Sequence, residues 1–160
     1  SVVNNSAVIF TEVDNTKPFT FTAKVQPEFT ETGTYSAGVI YAYENDTHCQ
    51  KLCFEQDEYG DHRVVSVRTL GTSDDNNHQA ITAPYVYMRL SSDGTTLGSY
   101  FSEDGKIWRM ARLYKNDFPE KLLIVISSQS PKDNEHTCLF TEVSLTDKPV
   151  ADFRKGNIAE

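Results

Sequence analysis

Basic residues are scarce. The 160-residue chain has 15 Lys and Arg against 23 Asp and Glu, a net charge of −8, and its isoelectric point lies near 5.0. Such a chain lacks the positive field that holds a phosphate backbone or an anionic membrane, so the expectation is no nucleic-acid and no membrane partner. Long apolar runs are missing too, none reaching the roughly 18–20 residues of a spanning helix. Without an Arg-rich or apolar leader, the expected chain is soluble or already processed. Cysteine is limited to Cys49, Cys53 and Cys138, an odd count that is no disulfide framework. In one strand Cys49 and Cys53 would stand about 13 Å apart at ~3.3 Å per residue, beyond bridging distance. Free thiols favour a reducing compartment, so a cytoplasmic location is expected over a secreted one. The sequons Asn4-Asn5-Ser6 and Asn45-Asp46-Thr47 are too common by chance to reverse that.

Helical stripes are also absent. Period-two alternation dominates and predicts ten short strands, at 7–12, 19–26, 37–43, 49–56, 63–70, 85–91, 96–102, 108–113, 122–128 and 137–145. Asp93-Gly94 and Asp104-Gly105 are hairpin signals, because the turns they favour match strand twist. The polar runs 72–77 and 130–135 read as loops. Ten strands without helices imply an all-β, two-sheet antiparallel jelly-roll sandwich over residues 1–146, with 147–160 as a C-terminal extension.

Alternation then sorts the faces. In 49–56, Leu52 and Phe54 oppose Lys51 and Glu55; in 63–70, Val65 and Val67 oppose Ser66 and Arg68; in 85–91, Met88 and Leu90 oppose Tyr87 and Arg89. Were these strands neighbours, one face would carry Lys51, Glu55, Arg68, Tyr87 and Arg89, with Tyr41 nearby. Forked Arg donors, an accepting Glu and stacking Tyr rings suit a polyhydroxyl or carboxylate ligand. A solvated outer sheet face is the plain alternative.

Other motifs carry less chemistry. Glu55 and Asp57 begin a Glu-x-Asp-x-Glu carboxylate strand of the glucanase type, but position 59 is Tyr59, so no glycosidase acid pair is complete here. Asp74-Asp75-Asn76-Asn77 offers calcium-type oxygens without the Gly and Glu of an EF-hand. The expectation is therefore no cofactor, calcium being the one ion this run would suit. His48 with Cys49 and Cys53 lacks zinc-ligand spacing. Ser102 to Trp108 approaches a sialidase Asp box, one residue short and unrepeated.

The order of motifs resembles a known family. Ala37-Gly38-Val39-Ile40 is followed by Asn45-Asp46-Thr47-His48, Lys51 and Glu55. Val65-Ser66-Val67-Arg68-Thr69 with Ser73-Asp74 comes next, then Met88-Arg89-Leu90. The series closes on Tyr100-Phe101-Ser102, Asp104-Gly105, Trp108 and Arg112-Leu113. Together they resemble the uncharacterised "regulation of enolase"-like family with a concanavalin A-like lectin/glucanase fold. His48 stands where that family usually has an aromatic residue, and Asp75 where it has Trp. The resemblance implies a non-catalytic, lectin-like module that binds a sugar or uronic acid on a concave sheet face. Lys51, Glu55, Arg68 and Arg89 would make polar contacts, Tyr87, Tyr41 and His48 would surround them, and Ser73 with Asp74 would form a rim. The alternatives are a regulatory protein-interaction sandwich and a glycoside hydrolase using Glu55 with another acid.

Overall fold

Alternating side chains organise the chain throughout. The computed structural model describes residues 7–132 and 135–159, in which there are eleven strands and no helix. In chain order these are β1 (Ala7–Asp14), β2 (Phe19–Pro27), β3 (Ala37–Asn45), β4 (His48–Gln56), β5 (His62–Leu70) and β6 (Thr72–Ala80). They continue with β7 (Val86–Ser92), β8 (Thr96–Ser102), β9 (Arg109–Lys115), β10 (Lys121–Gln129) and β11 (Cys138–Thr146). All pairings are antiparallel and form two sheets, six strands ordered β1-β10-β3-β4-β5-β6 and five ordered β11-β2-β7-β8-β9. The all-β sandwich expectation holds. The first sequon falls outside the described residues.

The core lies between the sheets, where every second residue points inward. Phe19, Phe21, Ala23 and Val25 of β2 and Val86, Met88 and Leu90 of β7 meet Ile40 and Ala42 of β3, Leu52 and Phe54 of β4, and Val64 of β5. The Asp-Gly signals are turns as expected. Gly94 and Gly105 take the positive φ values, 95° and 75°, that glycine adopts without strain. Asp93 accepts from the Thr95 and Thr96 amides, and Asp104 from those of Lys106 and Ile107.

One reading is corrected. The run 72–77, expected as a loop, belongs to strand β6. Its backbone pairs with β5 on one side only, as the last strand of the sheet. Of its side chains only His78 is part-buried, against Ser66 and Phe101, and all the others are exposed. Polar residues therefore suffice on both faces, and alternation has nothing to register.

Residues 147–159 cross the outer face of the five-stranded sheet. Thr20 Oγ1 donates to the Lys148 carbonyl (2.6 Å), the Val150 amide to Ser91 Oγ (2.9 Å), and the Tyr100 hydroxyl to the Phe153 carbonyl (2.6 Å). Val150 is buried. Gly156 has φ 75°, and a Cβ there would overlap the Tyr100 ring. The segment is a strap fastened by side chains of β2, β7 and β8.

Candidate functional site

The opposite surface of the sandwich is the outer face of the six-stranded sheet, over which the described residues place no third layer of strands or helices. Register aligns Phe10, Val125, Tyr41, Lys51, Val67 and Asp75 in one row across it, and Val8, Ser127, Val39, Cys53, Val65 and Asn77 in the next. Val39, Cys53, Val65, Val125 and Ser127 are each at most 4% exposed. These short side chains are shaded by the taller ones packed around them, so the strip they form is the low part of this face, which we call the trough. Its floor forms a small apolar cluster of its own with Ala37 and Tyr41, against which Tyr43, Val67 and Leu123 pack.

Polar groups stand on this floor. Lys51 Nζ lies 5.4 Å from the centre of the Tyr41 ring, and the Tyr41 and Tyr43 rings meet edge to face at 5.8 Å. The Tyr43 hydroxyl donates to Asp46 Oδ1 (2.9 Å). Glu55 follows Cys53 on the same side of β4. Burial first, then the negative charges of Asp75, Asp57 and Glu58, push its carboxyl up to about 7. Near neutral pH Glu55 is therefore able both to donate to and to accept from a ligand hydroxyl. The Cys53 thiol, pushed up to about 12 chiefly by burial, is not a nucleophile.

The raised Glu55 value has a consequence for stability. In the unfolded chain the carboxyl titrates near 4.5 and in the folded protein near 7, so between these values the folded state holds the extra proton. Glu55 should therefore make stability fall as pH rises from about 4.5 through 7, by about 1–2 kcal/mol after allowing for its partial exposure. Urea unfolding at a series of pH values should show this slope in the wild type and its loss in Glu55→Gln. An unchanged slope in the variant would place the shift elsewhere.

The structure divides the nine expected site residues among three places. Lys51, Glu55 and Tyr41 share the trough, and Ser73 reaches its β6 edge, bonded to Thr69 Oγ1 at 2.8 Å. Arg68 points the other way. Lys51 pairs with Val67, whereas Arg68 pairs with Gln50, on the inward side. The phase of β5 is thus opposite to the expected one, because Val64 faces the core while Val65 and Val67 line the trough. A strand with valines on both faces gives alternation no preferred side.

At the inward end, Arg68 Nη2 donates to Asp117 Oδ2 (2.9 Å), and its guanidinium lies 3.9 Å above the Tyr114 ring. His48 sits between Glu44 and Asp117, stacked on Phe118 at 4.2 Å. Asp74 accepts from Arg112 Nη1 at 2.7 Å. Tyr87 and Arg89 belong to the five-stranded sheet, on its outer face. Arg89 is buried beneath the strap, donating to Thr22 Oγ1 (2.9 Å) and the Gly156 carbonyl (2.6 Å), with Trp108 stacked at 3.7 Å. The Tyr87 hydroxyl donates to Glu142 Oε2 (3.1 Å). A single face uniting Lys51, Glu55, Arg68, Tyr87 and Arg89 is not formed.

Two acids change meaning in three dimensions. Asp57 is buried and accepts from the Tyr59 and Asp61 amides and from Arg63 Nε (2.7 Å), so it holds a turn rather than partnering Glu55. Asp75, missed because 72–77 read as a loop, is the leading acidic neighbour of Glu55. The calcium-type run lies along β6, which sends Asp74 and Asn76 to one face and Asp75 and Asn77 to the other. Among the described residues no group of three or more His, Cys, Asp or Glu is arranged to hold a metal.

Comparison with known proteins bears on the fold and the family. The profile of the family described as "Protein of unknown function (DUF1349)" matches residues 1–148. The chain is similar to a functionally unknown protein from Saccharomyces cerevisiae, with 24% identity and a TM-score of 0.77. That match covers 87% of this chain and 73% of the other. It is also similar to the GH43 protein BlXynB of Bacillus licheniformis, with 12% identity and a TM-score of 0.64, covering 80% of this chain but 27% of that one. An alginate lyase of Pseudomonas aeruginosa shares 10% identity and a TM-score of 0.57, covering 84% and 66%. At such identities these likenesses establish the β-sandwich and nothing about activity. No curated protein matches the sequence.

Proposed function

We propose that this chain, which belongs to the DUF1349 family, is a non-catalytic carbohydrate-binding module whose ligand lies in the trough of the six-stranded sheet. The resemblance of its motif series to the "regulation of enolase"-like family is part of this reading. The supporting observation is the strip of buried small side chains on this outer face, with Tyr41 in its floor and Lys51 and Glu55 standing beside it. The part-exposed Tyr43 ring, packed edge to face on the buried Tyr41 ring, offers apolar surface to a sugar, Lys51 donates to hydroxyls, and Glu55 donates or accepts. Arg68 and Arg89, the side chains best suited to a carboxylate, lie elsewhere. A neutral sugar therefore fits the trough better than a uronic acid. The glycoside hydrolase alternative would require Glu55 to act with Asp75 on the same face. Three free cysteines support a cytoplasmic setting.

The test is titration of the full chain with neutral xylo-oligosaccharides and acidic alginate oligosaccharides, followed by amide NMR. Weak binding of a neutral sugar is expected, with a Kd between tens of micromolar and millimolar. Its shifts should map to β3, β4 and β10, and Lys51→Ala or Glu55→Ala should weaken it at least tenfold. Absence of shifts throughout would favour a protein-interaction module. That second reading rests on exposed apolar residues of two of the four edge strands, Val8, Ile9 and Phe10 of β1 and Leu139, Val143 and Leu145 of β11.

A further inference from the structure

The space between the sheets is apolar around β2, β3 and β7, but it turns polar towards β6 and β9. From the six-stranded sheet Gln50, Ser66, Arg68, Asp74 and His78 face this end, and from the five-stranded sheet Ser99, Arg112 and Tyr114. Gln50, Ser66 and Ser99 are fully buried. Ser66 Oγ is satisfied by His78 Nε2 at 2.9 Å. Gln50 donates through Nε2 to the Lys51 carbonyl (2.9 Å), but its Oε1 has no protein hydrogen-bond partner, nor do Ser99 Oγ and the Tyr114 hydroxyl.

Buried polar atoms without partners are rare, because each forfeits its hydration. Here all three adjoin an arginine. Gln50 pairs with Arg68 across the β4–β5 ladder, Ser99 pairs with Arg112 across β8–β9, and the Tyr114 ring underlies the Arg68 guanidinium. Farther along the same edge, and apart from these three atoms, Phe101, whose ring centre lies 5.9 Å from that of His78, lines a hollow of about 140 Å³ with Gln79 and Arg109.

The two arginines are not equivalent. Arg68 is already neutralised by Asp117, which His48 also contacts. The Arg112 side chain is 19% exposed, and its partner Asp74, 65% exposed, comes from the opposite sheet and stands towards solvent. Asp74 thus holds Arg112 the way a soluble carboxylate would, through one oxygen from the solvent side.

We propose that this polar end of the inter-sheet space is a second binding site, distinct from the trough, for a small hydroxycarboxylate. The carboxylate takes the place of Asp74 on Arg112, and the hydroxyls engage Gln50 Oε1, Ser99 Oγ and the Tyr114 hydroxyl. Gln50 Oε1 only accepts, so it requires a hydroxyl donor; Ser99 and Tyr114 do either. Asp74 is then an internal competitor, and removing its charge frees Arg112 without altering Gln50, Ser99 or Tyr114.

The experiment is calorimetric titration of the full chain with glycolate, tartrate, glucuronate and, as the hydroxyl-free control, acetate. Asp74→Asn should bind a hydroxy acid at least tenfold more tightly than the wild type. Acetate should bind at least fivefold more weakly than glycolate, and Ser99→Ala in the Asp74→Asn background should shrink that difference. Arg112→Gln should abolish binding; should it unfold, the other two variants still decide. Preference for glycolate or tartrate identifies a free hydroxy acid as the source, and preference for glucuronate a terminal sugar acid. Three results would overturn the proposal: no heat with any acid in Asp74→Asn, equal affinity for acetate and glycolate, or undiminished binding in a folded Arg112→Gln.

Discussion

Arg89→Ala is expected to destabilise the protein by about 2–4 kcal/mol, since hydrogen bonds from a charged donor contribute ~1.5–3 kcal/mol each. The side chain makes two of them inside the structure, to Thr22 and to the Gly156 carbonyl, and fills the space above Trp108. Part of the loss is offset, because no carboxylate pairs with this guanidinium among the described residues and burial pulls it down to about 10. For a chain of this length the change amounts to a fall in Tm of roughly 5–15 °C. The strap should also become sensitive to protease, since Arg89 and Tyr100 anchor its last turns. Gly156→Ala should act in the same direction, its Cβ colliding with the Tyr100 ring at a positive φ. Wild-type Tm with a protected strap in both variants would mean that Arg89 does not hold the strap, and would return it to the ligand-binding role its sequence position suggests.

Phe54→Ala should cost about 3–5 kcal/mol, the range for removing a buried ring. Phe54 is fully buried at the centre of the six-stranded sheet's inner face and meets Phe29 edge to face at 5.2 Å. The cavity has little means of closing, because neighbouring Leu52 and Val64 are fixed in paired strands. Urea unfolding should show a lower midpoint with an unchanged slope. A loss below about 1 kcal/mol would mean that Phe54 is not a core residue.

The contrast between Phe54 and Arg68 shows what the sequence discloses. Leu52 and Phe54 stand on the opposite side of β4 from Lys51 and Glu55, so the phase of that strand is legible in its own residues. In β5, Val64, Val65 and Val67 divide between the core and the trough, and only pairing with β4 settles which way Arg68 points. Arg89 illustrates another limit. Its alternation is read correctly, away from Met88 and Leu90, but its strand lies in the other sheet and the strap covers it. Strand order and the course of an irregular tail depend on contacts distant in sequence, which periodicity does not encode. The same holds for Val39, Cys53 and Ser127, whose common row exists only once β3, β4 and β10 are neighbours.

Amide NMR of the full chain titrated with a neutral oligosaccharide distinguishes a sugar held in the trough from one held on the Arg89 face. Binding in the trough should give saturable shifts at Val39, Tyr41, Cys53, Val65 and Ser127 that weaken in Glu55→Ala, with the signals of Tyr87, Arg89 and Trp108 unmoved. Shifts centred on Tyr87, Arg89 and Trp108, or saturable binding that Glu55→Ala and Lys51→Ala leave intact, would contradict it.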